Sequence, residues 1–301
     1  MSSSGYETGS ALWRAVSDKA RHRSKTTSKP ASEYIRLFTF SRFVARVFAA
    51  AGSPWVLKGG TAMLLRVDDA RHSKDVDLLR SLGNLDDAVS ALRTALDTPM
   101  DDHFRFVVEA VRNAERDNVQ PQVDGCRVMI VAYCGIKMVD RFGVDLVTGS
   151  LMTSDPEIER ARSPLDIPGV EAPVVRLYPV VDHIADKVCA TETVYSRGRG
   201  SSRPRDLVDL VVFARTQRID GTALRDAIRG ERVMRSLPAR SAFAVPEEWR
   251  RDYPPLATST RYTSDLPTVE LATALVARLL DPAFGSTSVG RTWDPDRLEW
   301  T

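Results

Sequence analysis

The stretch Trp55-Val56-Leu57-Lys58-Gly59-Gly60-Thr61, followed by Arg71-His72-Ser73-Lys74-Asp75-Val76-Asp77, decides how this chain is read. Three apolar residues lead into two glycines and a hydroxyl residue, the pattern of a strand turning into a helix start. A second apolar run then carries aspartates at i and i+2. Residues two apart on a strand point to the same face, so this reading sets the Asp75 and Asp77 carboxylates side by side. Like charges held that close need a cation. Mg²⁺ takes carboxylate oxygens together with substrate phosphates, and Mn²⁺ accepts the same donors. Glycines let the backbone approach a phosphate, and helix-start N–H groups favour an anion, which makes Gly59, Gly60 and Thr61 candidate phosphate contacts. The structural alternative is a tight turn before an edge strand with two solvated aspartates. The Gly-Gly-Thr turn upstream, with Arg71 and Ser73 between, favours the metal reading and so nucleotide chemistry.

Outward from this stretch, apolar residues from Ile35 to Val47 recur at helical spacing, which predicts a helix over Ser32 to Ala51 with Ser32 as cap and Glu33 in its first turn. Gly52-Ser53-Pro54 ends it. Trp55 to Lys58 reads as a strand, Thr61 to Val67 as a short helix and Asp75 to Leu79 as a second strand. Leu85 to Leu96 is helical in period. Phe104 to Val111, Arg127 to Tyr133 and Gly143 to Val147 are β-rich, the last two as neighbours in a sheet. The proline-marked stretch Thr148 to Pro173 reads as a connection. Helical patterns follow over Pro179 to Tyr195, Arg205 to Thr216, Gly221 to Ile228 and Thr268 to Leu280, with an irregular segment from Pro238 to Pro267. The sum is a mixed α/β (α+β) lobe followed by a mainly helical one: a basic N-terminal arm over 1–31, partly helical between Ser10 and Arg23, a catalytic domain over 32–165 and a helical C-terminal domain over 166–301.

Three further constellations carry charge in unusual places. Asp145, in Phe142-Gly143-Val144-Asp145-Leu146-Val147, is costly to bury uncompensated and reads as a third metal carboxylate on an adjoining strand. Its alternative is the open face of an antiparallel strand. Lys187 stands among small and apolar residues in Asp182 to Ala190. It reads either as a point charge for substrate phosphates or as a lysine snorkelling off a core helix. Asp206 and Asp209, in Arg203-Pro204-Arg205-Asp206-Leu207-Val208-Asp209-Leu210, share a helix face, and Asp206 also suits the first turn. Arg197, Arg199, Arg203 and Arg205 gather about the start of that helix and read either as a nucleic-acid or triphosphate contact or as a solvated surface.

The 301 residues are 43% hydrophobic and 27% charged with a net charge of +2, so the average charge points to no partner, although Arg14 to Lys29 and Arg197 to Arg205 are locally basic. Cys126, Cys134 and Cys189 show neither metal-ligand spacing nor an even set for disulfides. They read as buried hydrophobes in a reducing cytoplasm. No membrane span and no signal peptide are expected.

Taken in order, these blocks resemble the AbiEii/AbiGii-type nucleotidyltransferase toxins, a branch of the DNA polymerase β-like nucleotidyltransferases. The resemblance runs through Leu57 to Ala62, Arg71-x-Ser73-x-Asp75-x-Asp77, Asp145, Lys187 and Arg205-Asp206-x-x-Asp209-Leu210. It covers roughly Phe38 to Phe213, and the Thr292-Trp293-Asp294-Pro295 ending is similar too. It implies a toxin of a toxin–antitoxin pair that adds nucleotides, often pyrimidines, from an NTP to the 3′ end of tRNA. The implied roles are metal binding by Asp75 and Asp77, and catalysis by these two with Lys187, Asp209 and Asp145. Gly59, Gly60, Thr61, Ser73, Lys187 and Asp206 would bind the nucleotide. RNA is the partner that the resemblance implies for Arg197, Arg199, Arg203 and Arg205. A cognate antitoxin is the implied partner, acting in some relatives by phosphorylation, for which Ser73 and Thr61 are the candidates here. Rival readings are nucleotidylation of a protein or small molecule, and a non-catalytic GTP/NTP-binding module.

Overall fold

The helix expected between Ser10 and Arg23 is present as α1 (Gly9–Ser24), and instead of standing off as an arm it is part of the core. Leu12, Val16 and Ala20 lie four apart on one face and are fully buried. The computed structural model describes residues 5–27, 29–67, 70, 73–80, 83–113, 123–193 and 200–301. Helix α2 (Ala31–Val47) begins one residue before Ser32; Pro30 is its N-cap and no side chain caps it. The helix ends at Val47, and Gly52 takes the left-handed turn (φ 69°) before the next strand.

That strand is β1 (Trp55–Lys58), leading directly into α3 (Gly59–Arg66). Strand β2 (Val76–Arg80) starts after Asp75, so Asp75 sits on the bend just ahead of the strand. Helix α4 (Leu85–Leu96) has the expected bounds, with the Asn84 side chain accepting from the Asp87 N–H at 2.9 Å. Three long strands follow, β3 (Phe104–Asn113), β4 (Asp124–Cys134) and β5 (Lys137–Thr148).

The expected connection over 148–173 contains a fourth, β6 (Glu157–Arg160). It pairs with β7 (Val174–Leu177), so the sheet continues past residue 165. The seven strands lie in the order β3-β4-β5-β2-β1-β7-β6. The pairs β1–β7 and β2–β5 are parallel and the others antiparallel.

Helices α5 (Val180–Glu192) and α6 (Arg205–Thr216) come next, then β8 (Ile219–Asp220), α7 (Gly221–Met234), the single turns α8 (Trp249–Asp252) and α9 (Pro254–Ala257), and α10 (Val269–Phe284). The chain closes with β9 (Thr292–Asp294) and β10 (Glu299–Trp300), which form a small sheet with β8 that the helical periodicity did not foretell. Buried Trp293 and Trp300 on this sheet meet edge to face, at 5.7 Å between ring centroids.

Two large hydrophobic cores result among the described residues, with a small third cluster of Val56, Leu79 and Tyr178. One lies under the large sheet with α1, α2 and α4; the other unites α5, α6, α7 and α10. Helix α3 serves both, with Ala62 in the first and Met63 in the second. Its N-terminus is therefore held at their junction. A buried bidentate pair braces the first core: Arg46 reaches Asp102 at 2.6 and 3.0 Å and donates to the Phe104 carbonyl. All three cysteines are free and buried. Among the described residues no helix is long and apolar enough to cross a membrane.

Candidate active site

Strand register places four charged residues in one row across the sheet: Lys58 on β1 opposes Asp77 on β2, Asp77 opposes Asp145 on β5, and Asp145 opposes Arg127 on β4. Directly opposed residues share a face, so the row alternates cation, two carboxylates, cation. Asp145 thus stands on the strand adjoining Asp77, as its sequence context implied. Asp75 joins from the bend, where the Arg127 guanidinium reaches its Oδ1 at 2.5 Å and both Asp145 oxygens at 2.8 and 3.0 Å.

The glycine turn packs onto this row. Gly59 has φ 60°, and a Cβ there would lie 1.8 Å from Asp77 Oδ2. Glycine is needed twice over, for the left-handed backbone and for room beside the carboxylate. The Thr61 and Ser73 hydroxyls both donate to the Asp75 carbonyl, at 2.8 and 2.9 Å, and both side chains are buried. In this state they shape the bend that carries Asp75, and neither hydroxyl faces outward.

Burial pushes the Asp77 carboxyl up to about 6, and the Asp145 charge pushes the same way, against Arg203, Lys187 and Lys58. Asp145 is raised too, by burial first, with Arg127 opposing and Asp75 adding to the rise. Burial works against the Arg127 charge, but the Asp145 and Asp75 carboxylates outweigh it and raise its pKa. At Asp77 burial and the Asp145 charge thus outweigh the three cations.

Lys187 does not snorkel. Its ammonium is buried between α5 and α6, 2.9 Å from Asp206 Oδ1 and 2.6 Å from Asp209 Oδ2. The i, i+3 spacing turns both carboxylates toward α5. Asp206 and Asp209 thus both hold Lys187. Arg203 Nε lies 3.3 Å from Asp206 Oδ2 while its side chain stays largely exposed. Arg205 opens α6 and is exposed. Arg197 and Arg199, with Arg71, lie outside the described residues.

The family model for the nucleotidyl transferase AbiEii toxins of type IV toxin–antitoxin systems matches residues 42–275. This chain belongs to the AbiEii family. The family implies an antitoxin partner. Among solved structures, the MenT4 nucleotidyltransferase toxin of Mycobacterium tuberculosis H37Rv is similar with 17% identity and a TM-score of 0.48, over 91% of this chain and 98% of that one. JHP933 from Helicobacter pylori is similar with 15% identity and a TM-score of 0.45, over 85% and 94%. No curated protein sequence matches.

The donor set of this AbiEii chain suits a hard divalent cation. Asp75, Asp77 and Asp145 offer only oxygens, and no cage of three or more protein ligands is formed among the described residues. Mg²⁺ binds in that way, through one or two carboxylates with substrate phosphates and water completing the shell.

The sequence reading passed over Arg127 and gave Lys58 no role. Lys58 Nζ lies 3.2 Å from Ser150 Oγ and 4.2 Å from the Tyr178 ring centroid, at the cationic end of the row beside Asp77. The available signal was a charge at the edge of each apolar run, Arg127 before Val128 to Tyr133 and Lys58 after Trp55 to Leu57.

Proposed function

We propose that this toxin transfers a nucleotidyl group from an NTP, a pyrimidine nucleotide, to the 3′ hydroxyl of tRNA in the cytoplasm and thereby blocks translation. The observation that carries this reading is the Lys58–Asp77–Asp145–Arg127 row lying against the glycine start of α3, with Asp75 beside it.

In the proposed reaction the acceptor oxygen bonds to the α-phosphorus as the α–β bridging bond breaks and pyrophosphate leaves. The hydroxyl proton passes to a carboxylate of the row, for which Asp145 with its raised pKa is suited. Asp75 and Asp77 would hold Mg²⁺, or Mn²⁺, which when bound supplies positive charge to the attacking and leaving oxygens. Gly59, Gly60 and the first N–H groups of α3 receive donor phosphates. Thr61 and Ser73 act on the nucleotide through the Asp75 bend. Lys187, fixed by Asp206 and Asp209, offsets triphosphate charge from the second core, and positioning of this kind does most of the work in phosphoryl chemistry. Arg203 and Arg205, with Arg197 and Arg199, bind the RNA backbone, so affinity should fall steeply as salt rises.

Antitoxin control by phosphorylation of Ser73 or Thr61 would bring about two negative charges beside the carboxylates and remove a hydroxyl bond to the Asp75 carbonyl. Intact mass after co-expression with the antitoxin reads it out.

The deciding assay combines total tRNA, Mg²⁺ and each labelled NTP in turn, with wild type beside Asp75→Ala. Label on tRNA from one pyrimidine nucleotide, lost in the variant, is the expected result. Label on protein or metabolite alone moves the acceptor. NTP binding without transfer to any acceptor leaves a binding module.

A further inference from the structure

Arg127 and Gly143 form a built seat at the one place where Asp75 and Asp145 come together. Gly143 lies two residues before Asp145 on β5 and so shares its face, while Arg127 crosses over from β4. A Cβ on Gly143 would lie 2.4 Å from Arg127 Nη2, 2.6 Å from Cζ and 2.7 Å from Nε. Gly143 is not among the left-handed residues, so what glycine provides there is space, and the space holds the guanidinium.

The seated guanidinium contacts Asp75 Oδ1 and both oxygens of Asp145. A Mg²⁺ ion would need carboxylate oxygens at about 2.0–2.1 Å, and it carries charge of the same sign as the guanidinium. The two cations therefore compete for the same oxygens. The way out is open, because the Arg127 side chain is flexible and 41% exposed.

We propose that Arg127 is the resident counter-ion of the metal pocket, seated over Gly143 between Asp75 and Asp145, and that it must leave its seat for a divalent cation to bind. The inference rests on the reading of Asp75 and Asp77 as metal ligands. A competitor of this kind lowers the apparent metal affinity by the fraction of time it is seated. A triphosphate arriving with the metal offers the displaced guanidinium a new anion, so NTP and metal binding support each other through Arg127. Arg127 is in this sense a positioning residue that sets when the site becomes loaded.

Mn²⁺ binding to the full chain, followed by electron paramagnetic resonance, tests this without recourse to turnover. If Arg127 is seated nine-tenths of the time, Arg127→Gln binds Mn²⁺ about tenfold more tightly. Arg127→Lys, whose ammonium lacks the planar fork that reaches Asp75 Oδ1 and both Asp145 oxygens at once, falls between the two. Gly143→Ala keeps the charge but fills the seat, and also binds more tightly. Added NTP tightens Mn²⁺ binding more in wild type than in Arg127→Gln.

Unchanged or weaker Mn²⁺ binding by a folded Arg127→Gln or Gly143→Ala overturns the counter-ion role and leaves the metal site standing. No Mn²⁺ binding by wild type and Arg127→Gln alike, or wild-type binding by Asp75→Ala, overturns the metal-site reading and the counter-ion role with it.

Discussion

Asp77 and Asp145 lie directly opposite each other on the parallel strands β2 and β5, two carboxylates in register on one face of the sheet. Such a pair is destabilising by itself. The fold compensates unevenly: Asp145 has the Arg127 guanidinium, whereas Asp77 has the start of α3 and cations that act on it from a distance. The two carboxylates therefore play different parts, and each can be tested alone.

The acid response of the metal-free protein should carry the signature of Asp77. Its folded pKa is raised from 3.8 to about 6. Between those values the folded state holds more protons than the unfolded one, so this group's contribution to stability is lost as pH rises through the window. Asp77→Asn should be the more stable protein above about pH 6 in chelator, with the difference vanishing near pH 4. Urea melts at several pH values measure it; a difference that grows toward low pH would reverse the assignment.

Gly59→Ala should abolish transfer through geometry alone. The alanine backbone must keep φ 60°, and its methyl group meets Asp77 Oδ2. The strained backbone costs about 1–2 kcal/mol, a modest fall in melting temperature, while activity falls by orders of magnitude. Near wild-type turnover would show that the turn does not fix Asp77.

Lys187→Met removes the cation from two buried carboxylates. Taking the shared ammonium away from Asp206 and Asp209 should cost about 3–5 kcal/mol as well as the transfer activity. The double variant Lys187→Met/Asp209→Asn should recover part of the stability and none of the turnover. Recovery of both would reduce Lys187 to a packing role.

Arg46→Ala serves as the contrast. Arg46 is buried with Asp102, joining α2 to the start of β3 away from the charged row. Its loss should destabilise by about 3–5 kcal/mol and leave the rate per folded molecule unchanged at low temperature. Denaturant titration and turnover, measured side by side, separate the two effects.

Much of this was legible in one dimension. Helices α4 and α6 have the bounds that periodicity predicts, because amphipathic segments carry their own signal. The shared face of Asp206 and Asp209 was legible for the same reason. Strand β6 was not: three of its four residues are exposed, and it carries no apolar alternation. Helix α1 was legible as a helix but not as part of the core, because its basic residues outnumber the three apolar ones, spaced four apart, that anchor it. Ser32 failed as a cap because Pro30 ends the preceding extended segment one step earlier.

The sequence by itself determined the local chemistry: a strand, a glycine turn and a helix start, followed within a few residues by Asp75 and Asp77. These features need only neighbours in the chain, where dihedral preference and spacing act. Only the tertiary structure decided that Asp145 faces Asp77, that Arg127 bridges Asp75 and Asp145, and that both Asp206 and Asp209 close on Lys187. Those relations depend on the order β4-β5-β2-β1 and on α5 packing against α6. Strand order and register are set by burial of whole faces against the two cores, a sum over distant residues that no local pattern contains.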